Sequence, residues 1–390
     1  MKEIAIVCIA YNREKSLSRL LNSISKAYIE DETTLIISID KSDNPLVKTV
    51  ADEFQWSYGE KRIIAQPINL GLRKHILGCG KLLEEFEAII MLEDDLVVSP
   101  NFYSYSKSAV SKYCNDDRIA GISLYSFHIN QLTTTPFFPD VSEKTNYFMA
   151  YGPSWGQVWM KKQWNAFYDW YKKNDAEFGD APHLPTFICH WGKKSWLKYH
   201  IKYAIENDKY FVYPYVAYSS TCGDAGEHTI VNSSYCQVCL QNGKKLNYDF
   251  ADFDDNAVKY DAFFERVGLL PELKGDVCID ILGSKMNLEK KRYWLTTKSA
   301  HYKIINQYKL TFKPIEANIV DNNYGDDIFL YDTSILGKAP RFNRSTLLYK
   351  YDIQNLLRII DDYTINNIMR DVFFTIKKRY LRFRKKLFGK

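Results

Sequence analysis

The sequence predicts an α/β fold in which a mostly parallel sheet is flanked by helices, and three observations support this prediction. Apolar, β-rich runs alternate with amphipathic helical segments over the first hundred residues, which is typical of βαβ units. Each apolar run ends in polar residues, as expected where parallel strands end at a ligand-binding edge. The chain has 390 residues, 46% hydrophobic and 25% charged, which suits two or three folded domains and excludes a disordered or fibrous chain.

The predicted elements follow one another in chain order. Ile4 to Ala10 is a buried strand, and Ser16 to Lys26 carries leucine and isoleucine at helical spacing. The next elements are a strand over Thr34–Ile39, a helix near Leu46–Phe54, a strand at Arg62–Ile64, a helix from Asn69 to about Glu85, and a strand over Ala88–Leu92. Together these elements predict a Rossmann-like sheet covered by helices.

The whole chain is predicted to contain three units. They are a catalytic domain over residues 1–244, a small mixed α+β domain over 245–345, and a helical, basic tail over 346–390. Aromatic residues are dense over residues 147–171, and we expect most of these rings to pack in the core and one or two to contact a ligand. The small domain is expected to contain short strands near Val277–Leu282, Tyr293–Thr297, Leu310–Phe312 and Ile328–Tyr331.

Charge and motif content exclude several classes of protein. Eight of the 52 basic residues follow Asp371, which leaves 44 basic against 47 acidic residues in the rest and argues against nucleic-acid binding. No GxGxxG follows the first strand and no GxxxxGK[ST] occurs, so dinucleotide and P-loop chemistry have no support. No apolar run approaches the roughly 20 residues of a transmembrane helix.

The eight cysteines are scattered and only Cys236 and Cys239 have metal-like spacing, so we expect free thiols in a reducing compartment.

Three consecutive carboxylates, Glu93-Asp94-Asp95, follow the predicted central strand. Their mutual repulsion is costly unless a cation or hydrogen-bond donors compensate it, and such oxygen ligands suit Mg²⁺ or Mn²⁺. The alternative is a solvated acidic turn. Asp40 ends a strand at the same predicted edge, where it could bind a nucleotide base or ribose, or simply cap a turn.

A second polar segment, Gly223 to Thr229, contains Asp224, Glu227 and His228. A histidine there could complete a metal shell or meet a phosphate, and either acid could take a proton. The alternative is an ordinary surface loop.

Taken in order, these segments resemble the GT-A fold glycosyltransferases, near the family 2 type, the bacterial polysaccharide type and the Golgi N-acetylglucosaminyltransferase I type. The resemblance covers about residues 2 to 235. The matching segments are Ala10-Tyr11-Asn12-Arg13, Ser38-Ile39-Asp40, Asn69-Leu70-Gly71-Leu72, Met91 to Phe102 around the acidic triplet, Gly152-Pro153-Ser154-Trp155-Gly156 with Trp159, and Gly226-Glu227-His228-Thr229.

The resemblance implies a role for each matching position. Asp95 would bind the metal, Mn²⁺ or Mg²⁺, with His228 near it or the diphosphate, and Glu93 or Asp94 would meet ribose or metal-bound water. The wall between donor sugar and acceptor would be formed by residues 152–156. The other residues assigned to donor binding are Tyr11, Asn12, Arg13, Asp40, Asn69, Gly71, Trp155 and Gly156.

One position departs from the family pattern. Relatives often have Trp-Asp where this chain has Trp191-Gly192, and that aspartate is a plausible catalytic base in an inverting enzyme. A glycine cannot take a proton, so Asp224, Glu227 or His190 serves instead, or the enzyme is retaining, or it is inactive. We favour Asp224, because it lies in the same loop as His228.

The expected function is metal-dependent sugar transfer from a nucleotide-diphosphate donor, and the leading candidate for this donor is a UDP-sugar. The acceptor would be a saccharide or a lipid-linked glycan in surface polysaccharide or lipopolysaccharide synthesis, and the enzyme would be an inverting hexosyl- or N-acetylhexosaminyltransferase. The alternatives are a sugar-phosphate nucleotidyltransferase and a non-catalytic carbohydrate- or nucleotide-binding protein. Apolar and basic residues alternate at helical spacing over 366–390, which predicts attachment to an anionic membrane at its cytoplasmic, inner face.

Overall fold

The computed structural model describes residues 2–224, 233–288 and 290–340, with scattered helical positions between 369 and 383. The described residues form a nine-stranded sheet, a two-stranded ribbon and a four-stranded sheet. Helices flank the large sheet, in which most neighbouring strands are parallel, and the predicted α/β fold class is therefore confirmed.

The strands are β1 (Lys2–Ala10), β2 (Thr34–Ile39), β3 (Lys61–Ala65), β4 (Phe86–Glu93), β5 (Leu96–Val98), β6 (Ile119–Ser123), β7 (Asn146–Met149), β8 (Gln157–Met160), β9 (Tyr210–Pro214), β10 (Ser219–Thr221), β11 (Lys259–Tyr260), β12 (Val277–Asp280), β13 (Tyr293–Thr296), β14 (Tyr302–Tyr308) and β15 (Ile328–Leu336). The helices are α1 (Glu14–Ile24), α2 (Leu46–Glu53), α3 (Leu72–Cys79), α4 (Phe102–Tyr113), α5 (Lys161–Tyr171), α6 (Thr186–Cys189), α7 (Leu197–Glu206) and α8 (Ala317–Val320).

The centre of the large sheet brings three strand ends to one edge. The strand order is β11-β7-β9-β6-β8-β4-β1-β2-β3, and β1 pairs in parallel with both β2 and β4. The register sets Ala10 beside Ile39 and Ile9 beside Glu93. The loops that follow β1, β2 and β4 therefore start next to one another, at the edge where such sheets bind ligands.

Both faces of this sheet are buried, which explains why its central strands are nearly continuous apolar runs. Alternate residues of β1 enter two different cores: Ile4, Ile6 and Cys8 pack on one face, and Ala5, Val7 and Ile9 on the other. Helix α1 covers the first face with its buried leucine and isoleucine stripe. Helices α3, α5 and α7 contribute to the second core.

Most aromatic residues of the predicted ring-rich segment pack in the core. Trp159 is 1% exposed and stacks on Trp164 with ring centroids 4.0 Å apart. Trp196 meets Trp159 edge to face at 5.5 Å. These rings hold α5 and α7 against the sheet, which agrees with the expectation of packing rather than ligand binding.

Two predicted elements differ from the structure. The helix predicted from Asn69 to about Glu85 is α3 followed by a 3₁₀ turn over Gly80–Glu84, because glycines near the end of α3 have low helix propensity. The predicted strand Leu310–Phe312 is wrong. Side chains bind its backbone instead, since the amides of Leu310 and Phe312 donate to Asp327 and Asn318.

The large unit extends past the predicted division at residue 244. Phe250 and Ala257 lie in one core of the large sheet, Phe264 lies in the other, and β11 pairs with β7. Beyond this segment, the four-stranded sheet has the order β12-β13-β15-β14 and small apolar cores of its own. Among the described residues, no helix has the length and apolar character needed to cross a membrane.

A buried histidine should make the stability of the fold depend on pH. Burial among the rings of Phe167, Trp196 and Phe211 lowers the pKa of His200 to about 3. The unfolded chain binds this proton near the ordinary histidine pKa of about 6.5, so His200 lowers the free energy of unfolding as the pH falls below that value.

We expect His200→Phe to remove this contribution. Between about pH 7.5 and about pH 5, the wild type should lose about 2 kcal/mol more of its unfolding free energy than the variant. Urea unfolding at both pH values measures the difference, with His183→Gln, an exposed histidine, as the control. An equal pH dependence in wild type and His200→Phe would show that His200 is not held neutral by the fold.

Candidate active site

The acidic triplet lies at the carboxyl end of the central strand and forms one compact turn. Glu93 ends β4, and Asp94 and Asp95 form the turn before β5. The Asp94 side chain is 4% exposed and that of Asp95 is 27% exposed. Arg13, at the N-cap of α1, donates hydrogen bonds to both aspartates, and its Nη1 lies 3.2 Å from Asp95 Oδ2.

The carboxylates of this turn are costly to ionise together. Burial and the charges of Asp95 and Asp94 together raise the pKa of Glu93 to about 8, against the opposing effect of Arg13. Burial also raises the pKa of Asp94 to about 6, although the Arg13 guanidinium opposes the increase. Asp94 and Asp95 together carry one negative charge more than the Arg13 guanidinium neutralises.

Asp40, at the end of β2, holds the neighbouring loop in place. This side chain is 3% exposed. Its two carboxylate oxygens accept hydrogen bonds from the backbone amides of Lys41, Leu70 and Gly71, at 2.8–2.9 Å. Gly71 has a φ of +74°, which a residue with a Cβ adopts only with strain. Asp40 and Gly71 thus fix the loop that leads into α3.

Two side chains with no role predicted from the sequence contact each other near Asp40. The hydroxyl of Ser38 lies 2.7 Å from His75 Nε2, and both residues are buried. Burial lowers the pKa of His75, while the charge of Asp40 opposes this change. Ser38 and His75 therefore link the end of β2 to α3 next to the loop that Asp40 fixes.

Asp224 lies close to the acidic turn. The amide of Cys222 donates to the backbone oxygen of Asp95 at 2.9 Å, so the chain leading to Asp224 runs alongside the turn. The Asp224 carboxylate accepts hydrogen bonds from Ser16 and Arg19 of α1. Partial burial raises the pKa of Asp224, but the hydrogen bonds from Arg19 and Ser16 outweigh it and bring the pKa below its ordinary value.

The segment before β8, residues 152–156, lies next to β10. Trp155 is half-buried, and its ring lies 4.7 Å from that of Tyr125. Gly156 has a φ of +95°, and a Cβ there would lie 2.8 Å from the Ser219 hydroxyl, which donates to the Trp155 carbonyl. The segment therefore packs closely against the start of β10.

Three further residues assigned to donor binding lie on exposed loops at this edge. Tyr11 and Asn12 follow β1, and their carbonyls accept hydrogen bonds from Ser42 and Asn44. Asn69 donates to the Lys41 carbonyl at 2.9 Å. These contacts join the loops after β1, β2 and β3 into one surface.

The remaining assigned residues do not join this cluster in the described part of the chain. Glu227 and His228 lie outside the described residues. His190 is 66% exposed and pairs with Asp180 at 3.2 Å, and its described contacts do not reach the acidic turn.

The acidic turn fits a divalent cation whose coordination shell also includes ligands from outside the turn. Asp94 and Asp95 converge on one cation, the Arg13 guanidinium, which shows that their oxygens can share a positive partner. Within the described residues, no group of three or more His, Cys, Asp or Glu side chains could hold a metal ion by itself. Such an ion would need further oxygens, which a bound diphosphate offers.

Comparison with known proteins gives a family match for part of the large unit. A model of the family described as glycosyl transferase family 2 matches residues 5–184. No curated protein matches the chain.

Several solved structures resemble the chain at low identity. S. aureus TarS 1-349 is 14% identical with a TM-score of 0.36, and the match covers 56% of this chain and 59% of that one. The same fragment in complex with UDP-GlcNAc is 13% identical with a TM-score of 0.36, covering 58% and 60% of the two chains. The mannosyltransferase PcManGT from Pyrobaculum calidifontis, in complex with GDP-Man and Mn²⁺, is 12% identical with a TM-score of 0.26, covering 31% and 34%.

The match spans about three fifths of the length of the TarS fragment. The family match, by contrast, includes β1 to β4 and the acidic turn, with the loop that Asp40 fixes. Residues 5–184 therefore match glycosyl transferase family 2, and the fold of the large unit is GT-A-like.

Proposed function

We propose that this protein transfers a sugar from a nucleotide-diphosphate donor to a hydroxyl of a saccharide or lipid-linked acceptor. The leading candidate for the donor is a UDP-sugar, and the reaction needs Mn²⁺ or Mg²⁺. The observation that carries the proposal is the convergence of Asp94 and Asp95 on one cation at the edge shared by β1, β2 and β4. The family match over residues 5–184 supports the class of reaction.

Each part of the edge supplies one requirement of such a reaction. Asp94 and Asp95 would hold the divalent cation, which neutralises the diphosphate leaving group. The loop fixed by Asp40 and Gly71, with Tyr11 beside it, would bind the nucleoside. Trp155 and Gly156 would bound the space for the donor sugar.

The proposed base remains Asp224. Arg19 and Ser16 keep its carboxylate ionised, so it can accept the proton of an acceptor hydroxyl. Asp224 lies two residues after Cys222, whose amide donates to the Asp95 carbonyl, whereas the described contacts of His190 do not reach the acidic turn. We propose an inverting reaction on this basis, with hexosyl or N-acetylhexosaminyl transfer in surface polysaccharide or lipopolysaccharide synthesis.

Calorimetry tests the proposal against its alternatives. UDP and GDP are titrated into the protein with and without Mn²⁺, and turnover is then assayed on a panel of nucleotide sugars. Binding that needs the metal, followed by donor hydrolysis or transfer, supports the proposal. Metal-dependent binding with no turnover would indicate a non-catalytic protein, and release of inorganic diphosphate from a sugar phosphate plus nucleoside triphosphate would indicate a nucleotidyltransferase.

We also propose that the tail attaches the protein to the inner, cytoplasmic face of a membrane rich in anionic lipid. The described tail positions are helical, and six apolar ones at spacings of three and four are exposed: Met369, Val372, Phe373, Ile376, Tyr380 and Phe383. At 100° per residue they share one face, with Lys377 and Arg379 on its two flanks. Apolar residues flanked by cations are typical of helices that lie in the headgroup region. The rest of the predicted tail lies outside the described residues.

Removing the apolar face should release the protein from vesicles. Phe373→Ser with Phe383→Ser is expected to lower the affinity for phosphatidylglycerol-containing vesicles at least about tenfold, because two buried rings are lost. Co-sedimentation at low and physiological salt measures the affinity, and Phe312→Ser, an exposed ring outside the tail, is the control. Sedimentation equal to that of the wild type would contradict the proposal, and self-association through this face would show as a dimer without vesicles.

A further inference from the structure

The guanidinium of Arg13 is the counter-ion of the acidic turn. Its Nη2 donates to Asp94 Oδ1 and its Nη1 donates to Asp95 Oδ2. Arg13 precedes the first helical residue of α1, so its backbone is fixed, while its side chain is 27% exposed. One guanidinium therefore pairs with both carboxylates that the proposed function assigns to the divalent ion.

Counting charges shows why this matters for metal binding. The two aspartates carry two negative charges, and Arg13 carries one positive charge. A divalent cation added alone beside the guanidinium leaves a surplus positive charge, and like charges at contact distance repel. A nucleotide-diphosphate sugar brings two negative charges, so cation and diphosphate together remove the surplus.

Building on the proposed function, we propose that Arg13 and the divalent cation exchange places when the donor binds. The cation takes the oxygens of Asp94 and Asp95, and the guanidinium turns to the diphosphate, which its planar fork can bind through two hydrogen bonds. Arg13 is thus a positioning residue that couples the two ligands: the site holds the metal weakly alone and tightly with the donor.

The test compares two affinities in one set of variants. Electron paramagnetic resonance of free Mn²⁺ gives the affinity for the metal alone, and calorimetry gives the affinity for UDP at saturating Mn²⁺. In Arg13→Gln the affinity for Mn²⁺ alone should rise at least about fivefold, and the affinity for UDP should fall about tenfold. Arg13→Lys keeps the charge, so its affinity for Mn²⁺ alone should stay near that of the wild type.

The matched control is Arg62→Gln. Arg62 also joins two carboxylates, those of Glu60 and Glu85, but it lies on β3, away from the acidic turn. Both affinities should remain unchanged in this variant.

The outcomes separate the inference from the proposed function. Opposite shifts in the two affinities support the exchange, whereas shifts in the same direction, or none, overturn it. If Arg13→Gln does not fold, the wild type decides, because equal Mn²⁺ affinity with and without UDP also overturns the exchange. A wild type that binds neither Mn²⁺ nor UDP would contradict the proposed function itself.

Discussion

Asp95→Asn is expected to lower metal-dependent donor turnover by between about a hundredfold and about a thousandfold. The substitution keeps the shape of the side chain and the backbone bond from Cys222 to the Asp95 carbonyl, so the fold should be retained. It removes one of the two negative charges that we propose hold the cation next to the leaving group. Losing a single well-placed electrostatic contact of this kind commonly costs two to three orders of magnitude in rate.

The measurement is the initial rate of nucleoside diphosphate release at saturating Mn²⁺. Asp52→Asn is the matched control, because Asp52 is an exposed aspartate paired with Lys48 on α2. Its rate should equal that of the wild type. An Asp95→Asn rate within about threefold of the wild type would be too small a loss for a metal-holding carboxylate.

Asp40→Asn should destabilise the protein and weaken nucleotide binding together. The carboxylate of Asp40 accepts three backbone hydrogen bonds in a buried position. An asparagine turns one acceptor oxygen into a donor, which leaves at least one amide of the Leu70–Gly71 loop unsatisfied. The lost hydrogen bond to a buried charged group and the unsatisfied buried amide together should lower the free energy of unfolding by about 2–4 kcal/mol.

Urea unfolding measures the stability change, and calorimetry with UDP and Mn²⁺ measures the binding change, which we expect to be about tenfold or more. Asp43→Asn, an exposed aspartate in the same loop region, is the control and should change neither quantity. If Asp40→Asn weakened UDP binding with unchanged stability, Asp40 would act on the nucleotide directly rather than through the loop.

The sequence was informative wherever a residue's position followed from the end of a strand. Glu93 to Asp95 and Asp40 each follow an apolar run, and parallel strands bring their carboxyl ends to one edge. The acidic turn and Asp40 could therefore be located before any contact was known, and the α/β class followed from the same alternation.

The partners of these residues could not be predicted in the same way. Arg13 and Asp95 are 82 positions apart in the chain, and Arg19 and Asp224 are 205 apart, so no local pattern joins them. The strand predicted at Leu310–Phe312 failed because the side chains of Asn318 and Asp327, from later in the chain, bind its amides. The contact between Ser38 and His75 could not be predicted for the same reason, since it depends on how α3 packs against β2.

The central claim is that the acidic turn binds a divalent cation together with a nucleoside diphosphate. Anomalous scattering from crystals grown with Mn²⁺ and UDP tests it most directly, because the manganese position is then observed rather than inferred. We expect one manganese peak in contact with Asp95 and with the diphosphate of UDP, whose base lies by the loop that Asp40 fixes. Bound UDP with no manganese at the turn, or manganese and UDP elsewhere on the protein, would contradict the account.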